Sequence, residues 1–131
     1  AMDLIRKLEM PVEIDFMQVS SYGKSTQSDG FINMKRDLEQ DVSGKNLLIV
    51  EDIIDSGNTL HKIKTLFEDR NAKSVRICTM LDKPSRRVVD VKVDYVGKEI
   101  PDEFVIGYGL DYSEQYRNLP YVGILKREIY E

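Results

Sequence analysis

Between Leu47 and Leu81 the chain alternates apolar runs with polar breaks in an order that defines its centre. Leu47 to Val50 is a solid apolar run, the pattern of a strand buried on both faces. Leu60, Ile63, Leu66 and Phe67 recur at i, i+3, i+6 and i+7 and predict an amphipathic helix whose stripe packs on a core. Val75, Ile77, Thr79 and Leu81 then alternate as a second strand. Strand, helix, strand at this spacing is a βαβ unit, with parallel pairing and a right-handed crossover. The fold class is therefore α/β.

The flanks are read the same way. Leu4, Ile5 and Leu8 share one face, the tail of an amphipathic helix that Pro11 ends. Val12, Ile14 and Phe16 alternate as a strand, and Phe31, Ile32 and Met34 predict its return. Between them, residues 20–30 are small and polar, with Gly23 and Gly30, and predict a long mobile loop. Residues 37–45 read as a polar turn. Val91, Val93 and Tyr95 predict a further strand, Phe104 to Tyr108 another, and Leu119 to Leu125 a last short one. No repeat and no second domain is visible, so residues 1–131 form one domain.

Composition changes this picture in three places. At 131 residues, 41% hydrophobic and 32% charged, the chain can build a packed core. A net charge of −4 and a pI near 5.1 argue against a general nucleic-acid or anionic-membrane surface. Any phosphate site must be built locally, from backbone N–H groups, Mg²⁺ and a few Lys or Arg. The single cysteine, Cys78, excludes an internal disulfide or a Cys cluster for zinc, and its place in an apolar alternation predicts a buried thiol. His61 is the only histidine, which removes a His-based metal site; it is expected to be exposed. No apolar run reaches membrane length and no signal segment opens the chain, so a reducing cytoplasm is the expectation.

The chemistry gathers where the first apolar run ends. Glu51 and Asp52 follow Val50, then Ile53-Ile54, a third carboxylate Asp55, and Ser56-Gly57-Asn58-Thr59 at the helix start. In a parallel sheet ligands sit at the carboxyl ends of strands. A turn of Ser, Gly and Thr opening a helix aims N–H groups and hydroxyls at a phosphate. Adjacent carboxylates can hold Mg²⁺ or sugar hydroxyls. In a regular strand Glu51 and Asp52 face opposite sides, so sharing one site requires the strand to curl there. Asp55 can also be read as a cap of the following helix, Lys83 as a surface lysine before a turn, and Arg86-Arg87 as a solvated pair.

The stretch Val50 to Thr59, Val-Glu-Asp-Ile-Ile-Asp-Ser-Gly-Asn-Thr, resembles the phosphoribosyl-pyrophosphate (PRPP) signature of the type I phosphoribosyltransferases, in the form of their hypoxanthine-guanine branch. The resemblance runs from about Val12 to Leu125. It implies a mainly parallel sheet flanked by helices, with a small hood and a mobile loop that closes through Ser21-Tyr22. It implies that Glu51 and Asp52 serve Mg²⁺ and the ribose hydroxyls, and that residues 55–59 (Asp55, Ser56, Gly57, Asn58, Thr59) cradle the 5′-phosphate. Asp55 would also take the proton from N7 of the base. By the same resemblance Lys83 reads O6 of a 6-oxopurine, Phe104 stacks on the ring, and the Val105 backbone reads its edge. Asp111 lies near a second metal and the purine, and Arg117 contacts pyrophosphate. Purine salvage follows: PRPP and hypoxanthine, with guanine, give IMP or GMP and pyrophosphate.

A binding regulator on the same fold, and an inactive fragment of the enzyme, are the competing readings. Asp55 and Lys83 together favour the enzyme, because a sensor of PRPP alone needs neither. The family's Leu-Lys-Gly element, which binds pyrophosphate, is not present; Leu125-Lys126 is followed by Arg127. It would precede residue 1, so the chain is expected to lack the family's N-terminal strand and loop. Small-molecule substrates and a homo-oligomer, dimer or tetramer, are the expected partners.

Overall fold

The computed structural model describes residues 1–20 and 32–131. In chain order its elements are α1 (Met2–Ile5), β1 (Gln18–Ser20), β2 (Asn33–Arg36), β3 (Asn46–Ile54), α2 (Asn58–Asp69), β4 (Ser74–Asp82), a 3₁₀ turn (Pro84–Arg86), β5 (Tyr95–Glu99), β6 (Val105–Ile106), β7 (Gly123–Ile124) and α3 (Arg127–Tyr130). β3, β4 and β5 form a parallel sheet with β4 in the middle. Leu47 pairs with Val75, Ile49 with Ile77 and Ile53 with Leu81, so the expected βαβ unit is present in register.

The apolar stripe of α2 holds this layer together. Leu60 packs with Ile54 and Ile77, joined by Val91 and Val93, at the end of β3 that leads into the signature. Ile63 and Phe67 pack with Val42, Leu47 and Val75 at the other end. Leu66, on the margin of the stripe, is half-buried. Burying side chains of this size stabilises by roughly 1.5–3 kcal/mol each before entropy.

Two antiparallel pairs flank the sheet: β1 with β2, and β6 with β7. Several expected strands are shorter or displaced. Val12, Ile14 and Phe16 are exposed and in no strand. Their backbone is organised instead by Asp15, whose carboxylate accepts the N–H groups of Phe16, Glu39 and Gln40. Val91 and Val93 pack on the core from a loop, and strand geometry begins at Tyr95. Asp94 marks the change, its carboxylate accepting the Ile77 N–H at 2.9 Å. The expected strands over 104–108 and 119–125 shrink to the two-residue pair β6 and β7. Cys78 is half-buried rather than fully enclosed, and His61 is exposed as expected. Ser21 and Tyr22, with the loop they belong to, lie outside the described residues. Among the described residues no helix is long and apolar enough to cross a membrane.

Candidate active site

The carboxyl ends of β3 and β4 meet at one place. β3 continues as a strand through Glu51 and Asp52 to Ile54, longer than its apolar run alone implies. Asp52 turns its carboxylate onto the next N–H, that of Ile53, at 2.7 Å. Glu51 is largely buried beside it. Burial first, and the Asp52 charge second, push the Glu51 carboxyl up to about 7. Among the described residues no lysine or arginine forms an ion pair with either carboxylate. Mg²⁺ commonly takes one or two protein carboxylates and completes its shell with water and substrate phosphates, and the donor set of Glu51 and Asp52 fits that habit. Asp111 does not join them: no cluster of three acidic, His or Cys ligands forms among the described residues.

After Ile54 the chain leaves the sheet through Asp55 and Ser56 and enters α2. The N-cap residue of the helix is Gly57, not Asp55. The carboxylate of Asp55 is thus not spent on the helix, which removes the cap reading. Gly57 is required twice over. Its φ is +82°, and a Cβ there would lie 2.7 Å from Val91 Cγ1 and 3.0 Å from Arg87 Cδ. The Ser56 hydroxyl accepts the Asn58 N–H at 3.3 Å, and the first-turn amides of α2 point out of the helix by its geometry. Thr59 sits on that turn, half-buried.

Beside this turn lies a cavity of about 180 Å³, lined by Ile53, Asp55, Lys83, Phe104, Val105, Leu110 and Asp111. Five of the sequence-derived residues therefore face one space, although Asp55 and Asp111 are far apart in the chain. Lys83 follows β4, and its N–H donates to the Ile54 carbonyl at 3.0 Å. Only 11% of its side chain is exposed, and its ammonium lies 3.7 Å from Asp55, which is 48% exposed. This is no surface lysine. Phe104 is 37% exposed, so its ring is not ordinary core. Tyr112 meets it edge-on, with centroids 5.6 Å apart, and Tyr130 lies against it at 5.2 Å. Val105 is fixed by its pairing with Ile124. Ile53 and Leu110 were not singled out from sequence; their apolar character alone does not distinguish cavity wall from core.

Arg117 is held by carboxylates. Its guanidinium lies 3.2 Å from Asp111 and 3.3 Å from Glu114, and it donates to the Gly109 carbonyl at 2.9 Å. Glu114, which carries no signal of its own in the sequence, has a left-handed φ of 64°, and its carboxylate accepts from Arg117 at 3.3 Å.

Arg87 departs furthest from expectation. Arg86 is exposed and pairs with Asp102 at 3.5 Å, as a solvated arginine does. Arg87 is instead mostly covered: it donates to the Asp82 carboxylate at 2.5 Å and to the Asp55 backbone carbonyl at 2.6 Å. Adjacent positions in a loop read alike in sequence, and only tertiary packing separates them.

Residues 1–113 match the model of the phosphoribosyl transferase domain family. A hypoxanthine-guanine phosphoribosyltransferase of Bacillus subtilis is 57% identical over 129 residues, covering 98% of this chain and 72% of that protein. A hypoxanthine phosphoribosyltransferase of Salmonella typhimurium is 56% identical over 121 residues, covering 92% of this chain and 68% of that protein. The crystal structure of a hypoxanthine phosphoribosyltransferase from Staphylococcus aureus superposes with a TM-score of 0.93 at 51% identity, covering 99% of this chain and 71% of that one.

Proposed function

The chain belongs to the phosphoribosyl transferase domain family, and from that premise we propose that it transfers the phosphoribosyl group of PRPP to hypoxanthine, and to guanine, giving IMP or GMP and pyrophosphate. The observation that carries the reading is the single cavity shared by Asp55, Lys83, Phe104, Val105 and Asp111.

The roles follow from the chemistry of these groups. Ser56 to Thr59 bind the 5′-phosphate through backbone N–H groups and hydroxyls at the start of α2. Glu51 and Asp52 bind the ribose hydroxyls and the divalent ion that PRPP carries. Held by these carboxylates, Mg²⁺ would supply positive charge to the pyrophosphate leaving group. Lys83 has donors only, so it meets the O6 acceptor of a 6-oxopurine and not the amino group of adenine. The Phe104 ring covers the base, and Val105 offers its backbone to the base edge.

As N9 forms its bond to the anomeric carbon, the carbon–oxygen bond to pyrophosphate breaks and its electron pair leaves with the pyrophosphate. The proton on N7 passes to Asp55. General-base help of this kind contributes about 10²–10⁴-fold. Arg117 exchanges its carboxylate partners for pyrophosphate oxygens, which a guanidinium can bind bidentately. A homo-oligomer and a cytoplasmic location belong to the same reading.

The competing reading, a PRPP-binding regulator, makes no nucleotide. Turnover with PRPP, Mg²⁺ and hypoxanthine, guanine or xanthine separates the two. Nucleotide from hypoxanthine or guanine is the expected result; PRPP binding with no product from any base would favour the regulator.

A further inference from the structure

Arg87 sits where the two halves of the site join. Its Nη2 donates to Asp82, whose side chain is only 9% exposed, on the last residue of β4. Its Nη1 donates to the backbone carbonyl of Asp55, on the signature turn. Both bonds come from one planar guanidinium, and Asp82 immediately precedes Lys83. The next residues tie the same turn separately: the N–H groups of Val88 and Val89 approach the Ser56 carbonyl at 3.0 and 3.4 Å. The Arg87 Cδ also lies against Gly57, at 3.0 Å from where a Cβ would be.

We infer that Arg87 is a positioning residue that fixes Asp55 relative to Lys83, by clamping the Asp55 carbonyl to the end of β4. This rests on the transferase reading above and assigns a role to a residue that reading leaves unused. The geometry needs arginine. A lysine ammonium is a point charge on a flexible stem and cannot hold two acceptors in a fixed fork. The phosphate cradle has its own ties through Val88 and Val89, so loss of the clamp acts on Asp55 more than on phosphate binding. Geometry at a reacting centre is costly to lose: a misplacement of about 1 Å can lower rate by about 10²-fold.

The test compares R87K and D82N with the parent in the full chain. D82N keeps an oxygen acceptor for Nη2, so it is the conservative rescue. R87K is expected to lower kcat for IMP formation by about 10- to 100-fold while the PRPP KM changes less than about threefold, and D82N to keep kcat within a few-fold. Hydrogen exchange reads the clamp without turnover. In R87K the amides of residues 53–59 should exchange about tenfold faster relative to those of residues 75–81, and in D82N they should not. R87K with parental kcat and parental exchange would overturn the assignment. So would a parallel fall of kcat, PRPP affinity and exchange protection throughout the sheet, which marks a merely structural arginine. If the parent makes no nucleotide, the transferase reading fails, while the exchange result still decides whether the clamp exists.

Discussion

Asp55 and Lys83 face one cavity with different chemistry, a carboxylate that can take a proton and an ammonium that can only donate. Asp55 is half-exposed, faces the cavity, pairs with Lys83 and caps nothing. Asp55→Asn keeps size and hydrogen bonding but removes the base. It should lower kcat by about 10²-fold or more with little change in PRPP affinity, since the cradle is mostly backbone. Steady-state kinetics with calorimetric PRPP titration checks this, and a kcat within a few-fold of the parent would return Asp55 to a structural role. The local pattern left both residues open, Asp55 as a helix cap and Lys83 as a surface lysine, and only the resemblance to the family singled them out. Arg87 was not legible. A charged pair in a loop defaults to solvent, and its burial depends on Asp82 and on a carbonyl 32 positions away.

The βαβ unit at the next scale was legible for a different reason. Solid apolar runs and a helical stripe are hard to place other than in a buried sheet and the helix covering it. Shorter alternations were not reliable. Val91 and Val93 bury their side chains as a strand would, yet pack from a loop because the parallel ladder with β4 begins only at Tyr95. The stretch from Val12 to Phe16 fails similarly, its backbone drawn to Asp15. The loop packing of Val91 has a consequence for the signature turn, because Val91 fills the space beside Gly57. Gly57→Ala adds a methyl at a positive φ and against that side chain. It should destabilise by more than about 1 kcal/mol and weaken PRPP-dependent turnover. The denaturant midpoint and the PRPP KM measure both effects; parental values for both would show that the turn relaxes freely.

Charge governs the molecule as a whole. The chain is anionic, and its most strained carboxyl, Glu51, lies where a polyphosphate must bind. A carboxyl raised to about 7 in the fold binds its proton more tightly than in the unfolded chain. Its contribution is therefore fully present below about pH 4.5 and is lost as pH rises through about 7, at most about 3 kcal/mol. Asp37, held below its ordinary value by its Arg70 hydrogen bonds, works in the opposite sense and only in acid. Without ligand, stability should fall between pH 5 and 8 in the parent relative to Glu51→Gln, and Mg²⁺ with PRPP should restore it at pH 8. Urea midpoints across this range decide it; parallel curves for parent and variant would contradict the assigned strain.

In the proposed reaction the cavity between Asp55, Lys83 and Phe104 selects a 6-oxopurine and joins it to PRPP. Relative kcat/KM for hypoxanthine and adenine, in the parent and in Lys83→Gln, tests it most directly. The parent should form IMP, consuming one PRPP and releasing one pyrophosphate for each, and should discriminate against adenine. A site built for one hydrogen-bonding pattern can discriminate by up to about 10⁴–10⁵-fold. Lys83→Gln places an acceptor beside position 6 and should shift the ratio toward adenine. No nucleotide from the parent with either base, or an unchanged ratio in the variant, would contradict the account.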